Sequence, residues 1–477
     1  MQTHNLIAGQ WTAAADGATI EVTNPATDEV IASVPRCGRD ETRRAIEAAH
    51  AALSAWRTRP AHERGALLRT LAGLMMRDAD RLARLMTLEQ GKPLAEARGE
   101  IAYAASFLEW AAEEARRVSG EIIPASTTAK RILVLRQPVG VAAIITPWNF
   151  PSAMITRKLG PALAAGCTVV IKPAESTPLS AIAIGELSLE AGIPAGVVNI
   201  VTGTAREIGS EMCDNFLVRK LSFTGSTPVG RVLMQQASKH LLRLSLELGG
   251  HAPFIVFDDA DLDAAAAAAI TTKFRNAGQT CICANRFYVH ASVHDAFVQR
   301  LAAATERLVV GNGLGEGVNI GPLIDDKAIA KVEEHVADAT DRGARLVCGG
   351  SRVRVSGCAD RFYRPTVLAG LAPEMKIAHE ETFGPVAPVA RFETEAEAIA
   401  LANDSEYGLA AYFFTRDASR LIRVAEALDY GVIGANDAAP STAQAPFGGM
   451  KHSGFGREGG HYVMDEYTEI KYVSWGV

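Results

Sequence analysis

The stretch VVIKPAESTPLSAIAIGELSLEAGIPAGVVNIV, residues 169–201, sets two short β-rich runs, VVIK (169–172) and VVNIV (197–201), on either side of a helical segment from Leu179 to Ala191. The same alternation extends outward. KLSF (220–223), LSLEL (244–248) and PFIVF (253–257) repeat the strand pattern, and Val229 to Lys239 repeats the helix. Gly140 to Thr146 upstream reads as one more fully buried run. Short apolar runs separated by helices predict a mostly parallel sheet, because crossover helices cover both faces and leave no polar side.

Toward the N-terminus, residues up to about Pro35 are rich in Gly, Thr, Asn and Pro, with the turn signal Asn24-Pro25, and predict short strands. From Asp40, taken as an N-cap, to about Val118 the apolar residues recur at three and four, which predicts helices with Trp56, Leu68, Leu71, Leu74 and Met75 in the core. Beyond Asp261 an Ala-rich helix opens a second strand-and-helix series that runs to about Asn436. This is a second α/β unit, with the boundary near Gly250. RILVLRQ (131–137) makes a short apolar run, and the tail DEYTEIKYVSWGV (465–477) is β-rich without helical period.

A chain of 477 residues with 48% hydrophobic content exceeds the size of one core, so two large domains or more are expected. The net charge of −6 leaves no basic footprint for nucleic acid or an anionic membrane. Seven scattered cysteines, an odd number, do not form a disulfide framework and point to a reducing cytoplasm. The N-terminal MQTHNLIAGQW is no signal peptide, and the longest apolar run, Val139 to Trp148, is too short and Pro-broken to span a bilayer. A soluble cytoplasmic protein is the expectation.

The chemistry concentrates in FRNAGQTCICANR, residues 274–286, where Cys281 sits in a Gly-rich turn rather than on an apolar helix face. Glu247 closes the apolar run LEL ahead of Gly249 and Gly250, which allow close backbone approach to a ligand. In PWNFP (147–151), two prolines restrict the turn that carries Asn149. Taken singly, a cysteine is usually inert core, a buried glutamate an ion-pair partner and an asparagine a turn former. Together they are the nucleophile, base and amide donor that acyl chemistry through a thioester needs. No His/Cys/Asp/Glu cluster has metal-ligand spacing, so no metal is expected.

These stretches, with KPAE (172–175), FTGS (223–226) and EETFGP (380–385), resemble the aldehyde dehydrogenase superfamily in order and spacing from Asn5 to Tyr472. The resemblance implies a Rossmann-type cofactor domain (1–121 and 139–249), an α/β catalytic domain (250–445) and a small β oligomerisation arm (122–138 and 446–477). It also implies a homodimer or homotetramer joined through that arm. Cys281 would attack an aldehyde, Asn149 and the Cys281 N–H would hold the oxyanion, and Glu247 would activate the hydrolytic water. Relatives that pass the acyl group to coenzyme A often lack that glutamate.

The chain has no Gly-x-Gly-x-x-Gly after a strand; GSTPVG (225–230) feeds a helix instead, and Arg231-Val232 stand where a triphosphatase would need Lys-Ser or Lys-Thr. By resemblance, Gly225 shapes this phosphate turn, and Ser226 and Trp148 contact the phosphates. Lys172 and Glu175 bind the adenine ribose, Glu381 the nicotinamide ribose, and Phe383 packs beside the nicotinamide. Glu175 would repel a 2′-phosphate, so the expected cofactor is NAD, with NADP as the alternative.

Within the superfamily the chain is most similar to succinate-semialdehyde dehydrogenases, because Arg157, Arg275 and Ser441 match residues that hold the substrate carboxylate there. Pro440 beside Ser441 departs from the usual loop. Glutarate or oxoglutarate semialdehyde and a broad aldehyde range are the alternatives, with a non-catalytic relative as the reading from another class. Cys283 completes a Cys-x-Cys that in some of these enzymes oxidises to a switching disulfide.

Overall fold

Five strands, Val141–Ile145, Thr168–Lys172, Val198–Ile200, Val218–Thr224 and Arg243–Glu247, run parallel in the centre of an eight-stranded sheet. A computed structural model places residues 2–477. The chain winds outward from Val141–Ile145 through Thr168–Lys172 to Val198–Ile200, then returns to lay Val218–Thr224 on the other side of Val141–Ile145. Strand order therefore reverses between these two neighbours, and the crevice at their carboxyl ends is where open α/β sheets bind ligands. The hairpin Asn5–Ile7 and Gln10–Thr12 closes one edge and Gly454–Phe455 the other.

Helices Leu179–Glu190 and Thr227–Ala237 fall where the alternation predicts them. The helical region after residue 38 splits into Arg39–Thr58, Ala61–Arg77, Ala79–Gln90 and Leu94–Glu114. Trp56, Leu68, Leu71 and Met75 are buried in its core, and Leu74 is half-buried against it. Asp40 is not the N-cap. That position is Gly38, whose N–H donates to Glu41 Oε2 at 3.1 Å, so a side chain in the first turn supplies the acceptor that Asp40 was expected to offer.

The second α/β unit forms a seven-stranded sheet in the order Arg345–Cys348, Thr366–Ala369, Val386–Phe392, Ala284–His290, Ala252–Val256, Ala410–Phe414, Val432–Ala435. All neighbours are parallel except the first pair. Phe254 anchors its core, with ring centroids 5.1 Å from Phe287 and 5.0 Å from Phe414. A separate three-stranded sheet pairs Lys130–Pro138 with Glu121–Ile123 and with Thr468–Gly476. It exposes Ile122, Ile470, Tyr472 and Trp475.

The chain crosses from the carboxyl end of Arg243–Glu247 to the amino end of Ala252–Val256 in four residues, Leu248 to His251. This short link sets the output edge of the first sheet against the input edge of the second. A Cβ on Gly250 would stand 2.3 Å from the Cys281 carbonyl oxygen, and one on Gly278 would stand 2.2 Å from the Gly384 carbonyl oxygen. The backbones touch there, and glycine is required by contact. Gly250→Ala is expected to lower stability by about 1–3 kcal/mol through overpacking and to cut kcat/KM more than tenfold by about the same displacement of the cysteine loop. Denaturant unfolding and steady-state kinetics check it; a fully active, equally stable variant would contradict the contact.

Candidate active site

The cysteine loop begins where helix Leu262–Phe274 stops, and it turns through three successive left-handed residues, Asn276 (φ 52), Ala277 (φ 54) and Gly278 (φ 76). Two of the three carry a Cβ, so the turn costs about 1–3 kcal/mol per strained residue and must be held from outside. The Asn276 N–H donates to Glu96 Oε2 at 2.8 Å, its Oδ1 accepts from Gln90 Nε2 at 3.0 Å, and its Nδ2 donates to the Asn149 carbonyl at 3.0 Å. Gln279 Nε2 closes the turn onto the Asn276 carbonyl, while its Oε1 accepts from the Ile324 N–H at 2.9 Å.

Cys281 follows, at the amino end of strand Ala284–His290, and opens onto a cavity of about 300 Å³. The packing around it pushes its thiol up to about 12; Arg157 and Arg275 oppose this, while Glu381 and Glu247 add to it. The thiolate is therefore scarce in the resting protein. The Cys281 N–H has no backbone partner among the described residues. Cys283 is fully buried, its Sγ 3.4 Å from the Lys273 carbonyl, and both thiols are free.

Asn149 follows strand Val141–Ile145 at the switch point. Its Nδ2 donates to the Gln279 carbonyl at 3.0 Å, which identifies the amino end of the amide and leaves one N–H to give. Glu247 ends strand Arg243–Glu247 with both carboxylate oxygens buried and without hydrogen-bond partners. Burial and then the neighbouring Glu458 raise its pKa well above the carboxylate range, against Arg157, Lys158 and Arg457. Glu458 is held ionised instead: burial opposes this, but the charges of Lys158 and Arg157 and the Lys158 hydrogen bond win. Lys158 Nζ bonds both Glu458 and Thr224 Oγ1.

The cavity brings Cys281, Arg157, Arg275 and Ser441 together. Arg157 is buried, with its guanidinium 3.9 Å from the Phe447 ring centroid. Its Nε lies 2.8 Å from Glu458 Oε2, but off the line of a hydrogen bond, and its Nη2 has no partner. Arg275 is exposed and stands 5.2 Å over the Phe150 ring, with no hydrogen bond or ion pair among the described residues. Ser441 Oγ and Tyr103 OH are 2.5 Å apart.

The predicted cofactor residues gather around the switch point and at the edge facing it. Trp148 meets Phe383 edge to face at 5.6 Å, and Phe383 keeps a left-handed φ of 53. Ser226 is the N-cap of helix Thr227–Ala237, yet its hydroxyl makes no cap bond, and Gly225 lies against the Phe223 ring, where a Cβ would clash at 2.4 Å. Lys172 is buried with its ammonium bonded only to the Pro173 carbonyl, so two of its N–H groups are unused. Glu381 Oε1 accepts from the Gly250 N–H at 3.2 Å, and burial raises its pKa to about 7. Glu175 is exposed, with Oε1 accepting from the Ala205 N–H at 2.8 Å. A free hydroxyl at a helix N-terminus, a close-approach glycine and a lysine with spare donors fit a dinucleotide.

Sequence reasoning missed Lys92, Glu100, Lys158, Asn276 and Glu458. Their signal was faint: Glu100 and Lys158 lie in helices, where a Lys or Glu normally reads as a solvated face, and Lys92, Asn276 and Glu458 owe their places to partners far away in the chain. Among the described residues no group of acidic, His and Cys side chains could hold a metal, and no helix is long and apolar enough to cross a membrane.

The sequence pattern of the aldehyde dehydrogenase family matches residues 11–473, and the chain belongs to that family. It is 58% identical over 472 residues to a succinate-semialdehyde dehydrogenase of Escherichia coli strain K12 named for NADP(+), covering 99% of this chain and 97% of that one. It is 59% identical over 467 residues to a glutarate-semialdehyde dehydrogenase of Pseudomonas putida KT2440, covering 98% and 96%. The crystal structure of an E. coli NADP-dependent enzyme superposes with a TM-score of 0.98 at 58% identity, covering 100% of this chain and 98% of that one. The reaction class follows: oxidation of an aldehyde with NAD(P).

Because the Glu247 pKa is raised above its ordinary 4.5, the folded protein binds this proton more tightly than the unfolded chain. The stability this contributes is complete below that value and is lost as pH rises through the folded-state pKa. Glu247→Gln, neutral at every pH, is expected to raise the thermal midpoint at pH 8, with the gain shrinking toward pH 5. Aldehyde oxidation should fall about 10²- to 10⁴-fold in the same variant. Calorimetry across pH checks the first; no gain at pH 8 would reject the buried-carboxylate picture.

Proposed function

We propose that this aldehyde dehydrogenase oxidises a short semialdehyde carrying a terminal carboxylate, succinate semialdehyde first, to the dicarboxylate. The observation that carries the reading is the state of two guanidinium groups beside Cys281: Arg275 forms no ion pair or hydrogen bond among the described residues, and Arg157 has an unpartnered Nη2. A cation left unpaired in a lined cavity favours an anionic ligand. Ser441 adds a hydroxyl to the same wall. Glutarate semialdehyde is the second reading, favoured by the 59% identity to the P. putida enzyme and by the small Ala438 and Ala439 in the lining.

In this reading the Cys281 sulfur adds to the aldehyde carbon, and the negative charge developing on its oxygen is met by the spare Asn149 N–H and the Cys281 N–H. When bound, NAD(P) would supply the hydride acceptor for the passage from thiohemiacetal to thioester. Glu247 then takes a proton from water, whose oxygen attacks the thioester carbon and expels the Cys281 thiolate. A carboxylate with no hydrogen-bond partner and a raised pKa is suited to that step.

For the cofactor we read Trp148, Lys172, Glu175, Gly225, Ser226, Glu381 and Phe383 as the binding residues, with NAD preferred. The support is Glu175, whose carboxylate is fixed by the Ala205 N–H and would face a 2′-phosphate with like charge. The E. coli relative named for NADP(+) makes this a discriminating expectation. Residues 1–121 with 139–249 are taken as the cofactor domain, 250–445 as the catalytic domain, and 122–138 with 446–477 as the arm. The apolar side chains exposed on the arm support a homodimer or homotetramer. Seven free thiols support a reducing, cytoplasmic location.

Absorbance at 340 nm with succinate semialdehyde, glutarate semialdehyde, a neutral aliphatic aldehyde and benzaldehyde tests the substrate. Acidic semialdehydes are expected to win, and Arg275→Ala to erase their advantage while sparing neutral aldehydes; neutral aldehydes winning in the wild type would overturn the carboxylate site. For the cofactor, kcat/KM should favour NAD, and Glu175→Gln should narrow that preference by about tenfold, the worth of one repelling charge. A wild-type preference for NADP rejects it.

A further inference from the structure

We propose that Lys92 is a positioning residue of the oxyanion hole, holding the Asn149 turn in place through the Asn149 backbone carbonyl. The proposal rests on the reading of Asn149 as the oxyanion donor. Lys92 follows Gly91, the left-handed C-cap of helix Ala79–Gln90, and precedes Pro93, where helix Leu94–Glu114 begins. Contact fixes this turn: a Cβ on Gly91 would stand 2.7 Å from Pro322, and one on Gly321 would stand 2.2 Å from the Gly91 carbonyl oxygen. The Lys92 stem is thus aimed inward, and its ammonium is fully buried.

Three contacts consume that charge. Nζ is ion-paired with Glu100, donates to the Asn149 carbonyl at 2.7 Å, and lies 3.9 Å from the Phe150 ring centroid. Glu100 passes the constraint on, since its Oε1 accepts from the Ser152 and Ala153 N–H groups at 3.0 and 3.2 Å, at the start of helix Ala153–Ala165. The Asn149 carbonyl receives a second donor, Asn276 Nδ2, from the cysteine loop. Residues 149 to 153 are therefore clamped at both ends by one buried ion pair.

The clamp matters because an oxyanion donor works through position. The Asn149 amide is tied to Gln279, two residues before the nucleophile, and its remaining N–H must face the adduct oxygen. A buried charged pair is an expensive way to hold a turn that apolar packing could hold. What the ammonium adds is a fixed direction for one carbonyl, and through it for the side chain on the same residue.

The test is a double-mutant cycle on kcat/KM with Lys92→Gln, Asn149→Ala and the pair, using the full-length enzyme, NAD(P) and the best aldehyde of the panel. Asn149→Ala is expected to cost about 10²- to 10³-fold. Lys92→Gln should cost about tenfold to a hundredfold, mainly in kcat, with the KM for the cofactor unchanged. The double variant should be no slower than Asn149→Ala alone, because a misplaced amide cannot be missed once it has been removed. Multiplying losses, or Lys92→Gln within twofold of wild type, would overturn the proposal. If Asn149→Ala itself is fully active, the oxyanion reading fails, and the role of Lys92 with it. Should Lys92→Gln not fold, the same cycle with Asn276→Ala, which removes the other donor to that carbonyl, decides by the same criterion.

Discussion

The contact of the Gly250 backbone with the Cys281 carbonyl is the constraint on which the remaining arrangement depends. Parallel sheets collect function at the carboxyl ends of their strands, and the first sheet obeys this: Trp148, Asn149, Lys172, Gly225 and Glu247 all lie there. The second sheet presents the opposite ends, where Cys281 precedes strand Ala284–His290 and Glu381 with Phe383 precedes strand Val386–Phe392. A link of four residues holds the two edges face to face. Cys281 and Glu247 therefore come from different sheets, yet their separation is set by a backbone contact too tight for a methyl group.

Within that junction the dominant cost is electrostatic. Glu247, Glu458, Glu100, Arg157, Lys158 and Lys92 are all buried, and buried ion pairs seldom repay their desolvation. The pairs are unequally satisfied. Lys92 with Glu100 and Lys158 with Glu458 are close and hydrogen-bonded, and each reaches a backbone or hydroxyl group of a strand end or turn in the site. Glu247 alone has no partner, and that isolation is what makes it basic. Its neighbours are paired, so the unpaired carboxylate is the one that holds its proton.

How much of this could be read in the sequence follows from the range of each interaction. The parallel sheet was legible because a strand buried on both faces leaves a continuous apolar run, and VVIK and VVNIV lie within Thr168–Lys172 and around Val198–Ile200 as that rule requires. Cys281, Glu247 and Asn149 were legible because glycines and prolines punctuate their turns. The left-handed Asn276 and Ala277 were not, since nothing local favours φ > 0 in an alanine; long-range bonds to Gln90, Glu96 and Asn149 impose it. Asp40 misled for the converse reason: a good capping residue lost its place to a glycine whose N–H a neighbouring glutamate could reach. Nor could spacing tell a substrate-binding arginine from an ion-paired one: Arg157 is ion-paired with Glu458, and the proposed reading gives it the substrate carboxylate as well.

That double duty of Arg157 bears on how Cys281 becomes reactive. Arg157 and Arg275 are the groups that lower the thiol pKa, and a substrate carboxylate bound to them would cancel part of that help. Acidic substrate and thiolate are thus antagonists in the same cavity. A pre-formed thiolate is the poorer solution here, because burial and then the charges of Glu381 and Glu247 raise the thiol pKa. Burial raises both acids, the thiol to about 12 and the isolated Glu247 carboxylate well above its ordinary value. In the proposed mechanism the two arginines therefore carry the help to the sulfur, and the unpaired Glu247 is left for the hydrolytic step.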